Sequence, residues 1–211
     1  MKLLITIVSC QAHAANHQAV RDTWMKDVPP GVDCFFFVGQ GAEPAPDTIV
    51  VDAPDDYFSL ALKRRAIFRW ACEREYDFTF KICEDNWVDV GAYLRSGFEK
   101  YDYFGHIHTW PGGNPTFPYG YIGPDGETTS LKANLILKDA PVDIWCDDGW
   151  VGNVLGAAGI PMKHDVRFGT VDMPASKNTI TRHGSLEMGG TGKYKPEWMY
   201  QVHDLRKRGV L

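Results

Sequence analysis

The stretch DFTFKICEDNWVDV, residues 77–90, decides the fold of this chain, because it joins a buried strand to two adjacent carboxylates. The segment DFTFKI predicts a strand of a central sheet. Glu84 and Asp85 follow at the point where that strand should end. Ligands of open parallel α/β sheets bind beyond the carboxyl ends of the strands. The sequence therefore predicts a functional site at these two acids.

The segments before residue 77 indicate that this strand belongs to an α/β domain. Residues 3–8 form a continuous run rich in β-branched residues, which is typical of a strand buried on both faces. Residues 33–39 and 47–54 predict two further strands, and helices are expected over 16–26 and 59–75. This order of strand, helix, strand, strand, helix and strand favours one domain with a mostly parallel central sheet and helices on both faces.

The rest of the chain predicts more helices and one irregular segment. Helices are expected over 90–101, 130–140, 145–159 and 196–209. Residues 111–125, PGGNPTFPYGYIGPD, are dense in glycine, proline and aromatic residues. Such a segment cannot form a regular helix, so we expect a shaped surface loop or ribbon.

Composition narrows the classes of protein. The formal net charge of −5 disfavours a protein that binds nucleic acid through a broad basic face. Five scattered cysteines leave at least one free thiol and fit a reducing compartment. No segment approaches the roughly 18 unbroken apolar residues of a membrane span, and MKLLITIVSC is interpreted as a first strand rather than a signal peptide. We therefore expect a soluble, cytoplasmic protein.

Two acidic pairs are candidates for chemistry. Asp85, with Glu84 beside it, could bind a hard divalent cation that keeps open positions for phosphate oxygens, or the pair could merely cap a turn. Asp147 and Asp148 precede a predicted helix, where a carboxylate can act as a helix cap or as a general base. Displacing a sugar from a nucleotide diphosphate requires at least one metal site, which offsets the charge of the leaving diphosphate, and one base, which accepts the proton of the acceptor hydroxyl.

The seven histidines and the glycines supply no familiar motif. None of the histidines has the HExxH or CxxC spacing of a zinc site, which disfavours zinc hydrolysis. A Walker loop, a dinucleotide-binding glycine fingerprint and a GxSxG elbow are also absent from the sequence.

Six blocks in order along the chain resemble the β-1,3-glycosyltransferase family that includes the Fringe and β-1,3-galactosyltransferase enzymes. The blocks are AVRDTW at 19–24, FFFVG at 35–39, DYFSLALK at 56–63, FKICEDNWV at 80–88, DDGWVGNVL at 147–155 and ITRHG at 180–184. The resemblance implies a GT-A fold, a UDP-sugar donor, a requirement for Mn²⁺ or Mg²⁺, and inversion at the anomeric carbon.

The resemblance also implies a role for individual residues. Asp85 and His183 would bind the metal ion, and Asp148 would be the catalytic base. Donor contacts are expected from Ser9, Arg21, Lys63 and Glu84. Residues 1–90 would form the nucleotide-sugar-binding half, and residues 91–211 the acceptor-binding and catalytic half.

The acceptor is expected to contact aromatic rings. Four of these lie between the metal motif at 80–88 and the block at 147–155 that contains the predicted base, and the fifth lies within that block. These rings are Trp110, Phe117, Tyr119, Tyr121 and Trp150. A glycan is the acceptor that the family implies, and a hydroxymethylated DNA base is the other candidate for a small enzyme of bacterial or phage type.

The sequence departs from the family pattern in two respects. Cys83 replaces the first acid of the metal motif, and a thiol is a poor ligand for Mn²⁺. The membrane anchor, stem and paired cysteines of typical members are not seen, so we expect a minimal soluble relative. Two alternatives stay open: a non-catalytic carbohydrate- or nucleotide-binding module of the same fold, and a nucleotide-sugar hydrolase.

Overall fold

The computed structural model describes residues 1–109, 113–170, 176, 178–184 and 196–210. A central sheet contains seven of the strands in this described part. They are β1 (Leu3–Val8), β2 (Val32–Val38), β3 (Thr48–Val50), β4 (Phe78–Cys83), β6 (Tyr103–His108), β7 (Tyr121–Ser130) and β8 (Met162–His164). A second sheet contains β5 (Asn86–Val88), β9 (Phe168–Thr170) and β10 (Thr181–His183).

The central sheet has the order β3-β2-β1-β4-β7-β6-β8. Neighbours are parallel except at β7, which runs antiparallel to β4 and to β6. In the second sheet, β10 lies between β5 and β9, antiparallel to β5 and parallel to β9. The prediction of one α/β domain with a mostly parallel sheet is confirmed.

Six α-helices accompany these strands in the described residues. They are α1 (Ala14–Asp22), α2 (Leu60–Glu73), α3 (Val90–Leu94), α4 (Leu131–Leu137), α5 (Asp147–Ala157) and α6 (Glu197–Lys207). Helices α2, α4 and α5 contact one another, and α1 contacts α6. None of these helices is long and apolar enough to cross a membrane.

Strand β1 shows why the sheet is covered on both faces. Successive side chains of a strand point to opposite faces. Accordingly, Leu3 and Ile5 pack in a cluster with Trp24, whereas Leu4 belongs to a separate cluster with Ile67 of α2. All of these side chains are buried. Burial on two faces requires the near-continuous apolar run that the sequence shows.

The predicted loop over 111–125 is wrong at its C-terminal end, because β7 begins at Tyr121. Pro124 has no backbone N–H and is normally excluded from a central strand. The structure accommodates it in an irregular stretch, where the pairing of β7 with β6 shifts register between Gly105 and Ile107. The short strand β5 of the second sheet was not predicted either.

Candidate active site

The two acids of the opening stretch occupy the tight turn between β4 and β5. The side-chain oxygen of Asn86 accepts a 2.7 Å hydrogen bond from the Cys83 amide and closes this turn. Glu84 and Asp85 are both buried. Buried carboxylates require compensating partners, and the structure provides a different histidine for each of them.

Asp85 pairs with His183, which the sequence places 98 residues further along the chain. His183 lies on β10 opposite Asn86, and its Nε2 is 3.1 Å from Asp85 Oδ2. Burial lowers the pKa of His183, but the Asp85 carboxylate outweighs that effect and the pKa is raised. The structure thus brings together the two residues that the sequence proposed as metal ligands.

The donor atoms of this pair fit a hard divalent cation. A carboxylate oxygen and an imidazole nitrogen 3.1 Å apart have the separation of neighbouring ligands on one ion. Cys83 adds no charge, because burial raises the pKa of its thiol well above the usual value. A cation here would have two protein ligands, which leaves its other coordination positions for phosphate oxygens.

Glu84 is paired with His13, which precedes α1. The His13 Nδ1 donates a very short hydrogen bond to Glu84 Oε1. Hydrogen bonds to Cys10 and to Glu84 raise the pKa of His13 to about 10. Glu84 is therefore neutralised by a protonated histidine.

Ser9 and Lys63 meet at the carboxyl ends of β1 and β2. The buried Lys63 ammonium donates hydrogen bonds to the Ser9 carbonyl at 2.5 Å and to Asp55 Oδ1 at 2.7 Å. Asp55 Oδ1 also accepts a hydrogen bond from the backbone N–H of Gly39, which follows β2. This network fixes the chain beyond two parallel strands, where ligands of α/β sheets bind.

Arg21 is engaged elsewhere. Its guanidinium makes two hydrogen bonds to Asp47, of 2.7 and 2.9 Å, and lies over the Phe36 ring. Asp47 directly precedes β3, so this pair is at the start of a strand rather than at the carboxyl edge. The structure does not bring Arg21 to the acids of the turn.

Asp148 is the second residue of helix α5 and lies in a buried cluster of charges. Lys81 of β4 donates a 2.7 Å hydrogen bond to Asp148 Oδ1, and its ammonium is 3.5 Å from Asp147 Oδ2. Burial raises the pKa of Asp148, and the charge of Lys81 opposes that rise without cancelling it. A carboxylate with a raised pKa is a better proton acceptor than an ordinary aspartate.

Two further charged residues extend this cluster. Arg64 of α2 pairs with Glu127 of β7 by a very short contact, and its Nε is 3.9 Å from Asp147 Oδ2. Both Arg64 and Glu127 are 1% exposed. Sequence reasoning missed Lys81 and Arg64 as parts of the site, although a lysine in the middle of a buried strand is unusual enough to have indicated it.

The predicted acceptor aromatics fall into three groups. Trp110 lies outside the described residues. Trp150 is fully buried and its indole N–H donates to the Pro141 carbonyl, so it has no face open to an acceptor. Phe117, Tyr119 and Tyr121 lie on or beside the segment that packs onto α5.

Glycines on one side of α5 allow this close packing. A Cβ atom at Gly149 would lie 2.0 Å from the Phe117 ring, and one at Gly156 would lie 2.4 Å from Tyr119. Burial, and then the charge of Asp148, raises the pKa of Tyr121 to about 12. Phe117, beside Gly149, and Tyr121 therefore stand close to the candidate base.

A second aromatic group was missed by sequence reasoning. Tyr57, Phe58 and Trp145 are 63%, 74% and 46% exposed, and their rings contact one another with centroids 5.2–6.1 Å apart. We call these three residues the exposed aromatic cluster. Partial burial, and then the charges of the 146–148 segment, raise the pKa of Tyr57. The cluster thus lies beside the start of α5.

Comparison with known proteins supports the class of fold. The chain is similar to a solved structure of a glycosyltransferase involved in the glycosylation of the major capsid of PBCV-1, with a TM-score of 0.57 and 14% identity. The match covers 96% of this chain and 99% of that one. Neither a protein-family model nor a curated protein sequence matches the chain.

This similarity defines the molecule as a single α/β domain with a GT-A-like fold. The shared fold does not distinguish the β-1,3-glycosyltransferase family from other glycosyltransferases.

Proposed function

We propose that the protein is an inverting glycosyltransferase that moves a sugar from a UDP-sugar to the hydroxyl group of an acceptor. The observation that carries the proposal is that one strand, β4, leads to both reactive centres. Lys81 of β4 holds Asp148, and the turn that follows β4 presents Asp85 to His183. Base and cation site are thus fixed to one rigid element at the carboxyl edge of the sheet.

Asp148 acts as the general base. It accepts the proton of the acceptor hydroxyl while that oxygen attacks the anomeric carbon and the bond from this carbon to the diphosphate oxygen breaks. Attack from the face opposite the leaving group inverts the configuration at that carbon. Lys81 is a positioning residue, since its ammonium holds one carboxylate oxygen at 2.7 Å and favours the ionised form of the buried group.

Asp85 and His183 would hold Mn²⁺ or Mg²⁺, which would supply positive charge to offset the charge on the departing diphosphate. Ser9 and Glu84 follow the neighbouring strands β1 and β4, and the ammonium of Lys63 from α2 binds the Ser9 carbonyl. These three residues are the proposed donor contacts. Arg21 would have to leave Asp47 to reach a donor, so its role in donor binding is the least supported.

The exposed aromatic cluster favours a saccharide acceptor. Flat rings bind the apolar faces of sugars, and Tyr57, Phe58 and Trp145 present them beside the segment that carries Asp148. Exposed acids, Asp56 and Asp143, are neighbours of this cluster in sequence. A DNA backbone requires cations at such a surface, so a neutral glycan fits better than a hydroxymethylated base in DNA.

A second candidate is a non-catalytic module that binds a sugar nucleotide. The observation that favours it is the neutral thiol of Cys83 at the position where the resembling family has an acid. Such a module would bind UDP-sugars and release no product.

Product analysis tests the proposal. The protein is incubated with Mn²⁺, a panel of UDP-sugars and neutral oligosaccharides, and the products are identified by mass spectrometry. We expect UDP and an oligosaccharide longer by one sugar, both absent with Asp148→Asn. Free sugar alone would indicate a hydrolase, and donor binding without either product would indicate the module.

A further inference from the structure

A group of three potential metal ligands lies outside the Asp85 turn. His106 and His108 are alternate residues of β6 and therefore project from the same face of the strand. Asp125 lies on the neighbouring strand β7. One ligand atom from each side chain lies within 4.8 Å of the others. This was the only such group found among the described residues.

The carboxylate of Asp125 has one oxygen that lacks a partner. Asp125 is fully buried, and its Oδ2 accepts hydrogen bonds from His106 Nδ1 at 2.9 Å and from His108 Nε2 at 3.2 Å. Its Oδ1 is buried and has no hydrogen-bond partner within the described part of the chain. An unsatisfied buried carboxylate oxygen is costly. His183 acts on this carboxylate through its charge, but Oδ1 receives no hydrogen bond in the described part of the chain, so a cation bound by Asp125 would compensate that oxygen.

Local backbone features hold the histidines in this position. The pairing of β6 and β7 shifts register between Gly105 and Ile107, so the chain bends where the cluster forms. A Cβ atom at Gly123 would lie 2.3 Å from the His108 ring. Only glycine at this position allows the imidazole to approach β7 so closely.

We propose that His106, His108 and Asp125 bind a divalent transition-metal ion of the zinc type. Two imidazole nitrogens and one carboxylate oxygen form the ligand set of open zinc sites, with a further position left for water. Tetrahedral ligands about 2.1 Å from an ion stand about 3.4 Å apart, which small movements of these side chains would reach. The His106 and His108 side chains are 20% and 33% exposed, and this gives an ion a route to the buried carboxylate.

The proposed zinc-type site shares no residue with the Asp85–His183 pair and differs from it in its preference for metals, although the charges of Asp125 and His183 act on each other. Imidazole-rich sites bind Zn²⁺ and Co²⁺ more strongly than Mn²⁺. The inference depends on the geometry of the cluster and does not require the protein to transfer a sugar.

The test compares metal binding by the folded full-length chain and its variants. Zn²⁺ binding is measured by equilibrium dialysis, and Co²⁺ binding by visible absorption. The double variant His106→Asn/His108→Gln keeps a side-chain amide near each position that now donates to Asp125, but lacks both imidazole ligands. We expect it to lose one equivalent of bound metal, with a dissociation constant raised by about 100-fold or more.

Two control variants separate this site from its surroundings. His164 lies beside His106, with ring centroids 5.1 Å apart. The Nδ1 atom of His164 accepts a hydrogen bond from the backbone N–H of Ile107. His164→Asn keeps an acceptor at that position and should retain the metal. Asp85→Ala should retain it as well, since Asp85 is not a ligand of this site.

The outcomes decide the proposal independently of transferase activity. Failure of the wild-type chain to bind Zn²⁺ or Co²⁺, unchanged binding by the double variant, or loss of this equivalent with Asp85→Ala would each overturn it. If the double variant does not fold, His108→Gln alone replaces it, because His108 is the more exposed of the two histidines.

Discussion

The ammonium of Lys81 donates a 2.7 Å hydrogen bond to Asp148 Oδ1, and it joins strand β4 to the first turn of helix α5. Both side chains are nearly inaccessible to solvent. The charges of Asp147 and Asp148 overcome the effect of burial and raise the pKa of Lys81, so the lysine is protonated. A buried carboxylate held by a permanent cation, close to a surface that presents aromatic rings, is equipped to accept a proton from a sugar hydroxyl.

Asp148→Asn should reduce transfer strongly. Asparagine keeps the size of the side chain but cannot accept the proton, so we expect transfer to fall by about 10²–10⁴-fold while UDP binding is unchanged. Transfer rate and calorimetric UDP affinity are measured on the same preparation. Asp147→Asn is the matched control, and a larger loss with that variant would assign the base to Asp147 instead.

Lys81→Met should change the pH dependence of transfer. The Lys81 charge lowers the pKa of Asp148, so without it that pKa rises and the acidic limb of the rate profile should move to higher pH. Removal of one partner from a buried ion pair also costs about 3–5 kcal/mol of unfolding free energy. Urea denaturation measures this cost.

Lys132→Met is the control for the Lys81 variant, because Lys132 is an exposed lysine that pairs with Asp102. Its pH profile should match that of the wild type. A Lys81→Met profile that also superimposes on the wild type would exclude Asp148 as the group titrating in the acidic limb.

Trp145→Ala should weaken acceptor binding. If the exposed aromatic cluster binds the acceptor, loss of the indole should raise the KM for the acceptor by about 5–30-fold, corresponding to about 1–2 kcal/mol of stacking. The turnover number and the KM for the donor should change little. Tyr200→Ala removes an exposed ring from α6 and serves as the control; equal effects of the two variants would argue against a specific surface.

His17 should make stability depend on pH. Its Nε2 is 2.6 Å from Ser9 Oγ, and its ring packs 4.4 Å from that of Phe36. Burial is the main cause that lowers its pKa from 6.5 to about 4. Between these pH values the unfolded chain binds a proton that the folded chain excludes, so stability falls as the pH falls through this window.

The loss from His17 should amount to about 3 kcal/mol between pH 6.5 and pH 4. His17→Gln has no titrating group at this position, and its unfolding free energy should decline less over the same range. Parallel curves for wild type and variant would show that His17 is not held neutral in the fold.

The parallel part of the fold was predictable because its strands are buried on both faces. Strand β1 was expected over residues 3–8 and is found at Leu3–Val8. Strand β7 was not predicted, since YIGPDGETTS contains two glycines, a proline and several polar residues. Its place between β4 and β6 depends on tertiary contacts that outweigh local preference.

The parts of the site formed by residues adjacent in sequence were predictable. The parts formed by residues from strands distant in sequence were less so. Glu84 and Asp85 stand at a strand end, which locates them without a structure. The pairing of His183 with Asp85 was available only through the family resemblance. His106, His108 and Asp125 converge where β6 and β7 pair with a shift in register. No periodic pattern in the sequence predicts that shift.

Calorimetric titration with UDP, with and without Mn²⁺, tests the central claim most directly. The account predicts that UDP binds the wild-type chain in the presence of Mn²⁺, that binding weakens sharply without the ion, and that Asp85→Ala removes this dependence on Mn²⁺. UDP binding that is absent under every condition, or identical for wild type and Asp85→Ala with and without Mn²⁺, would contradict it.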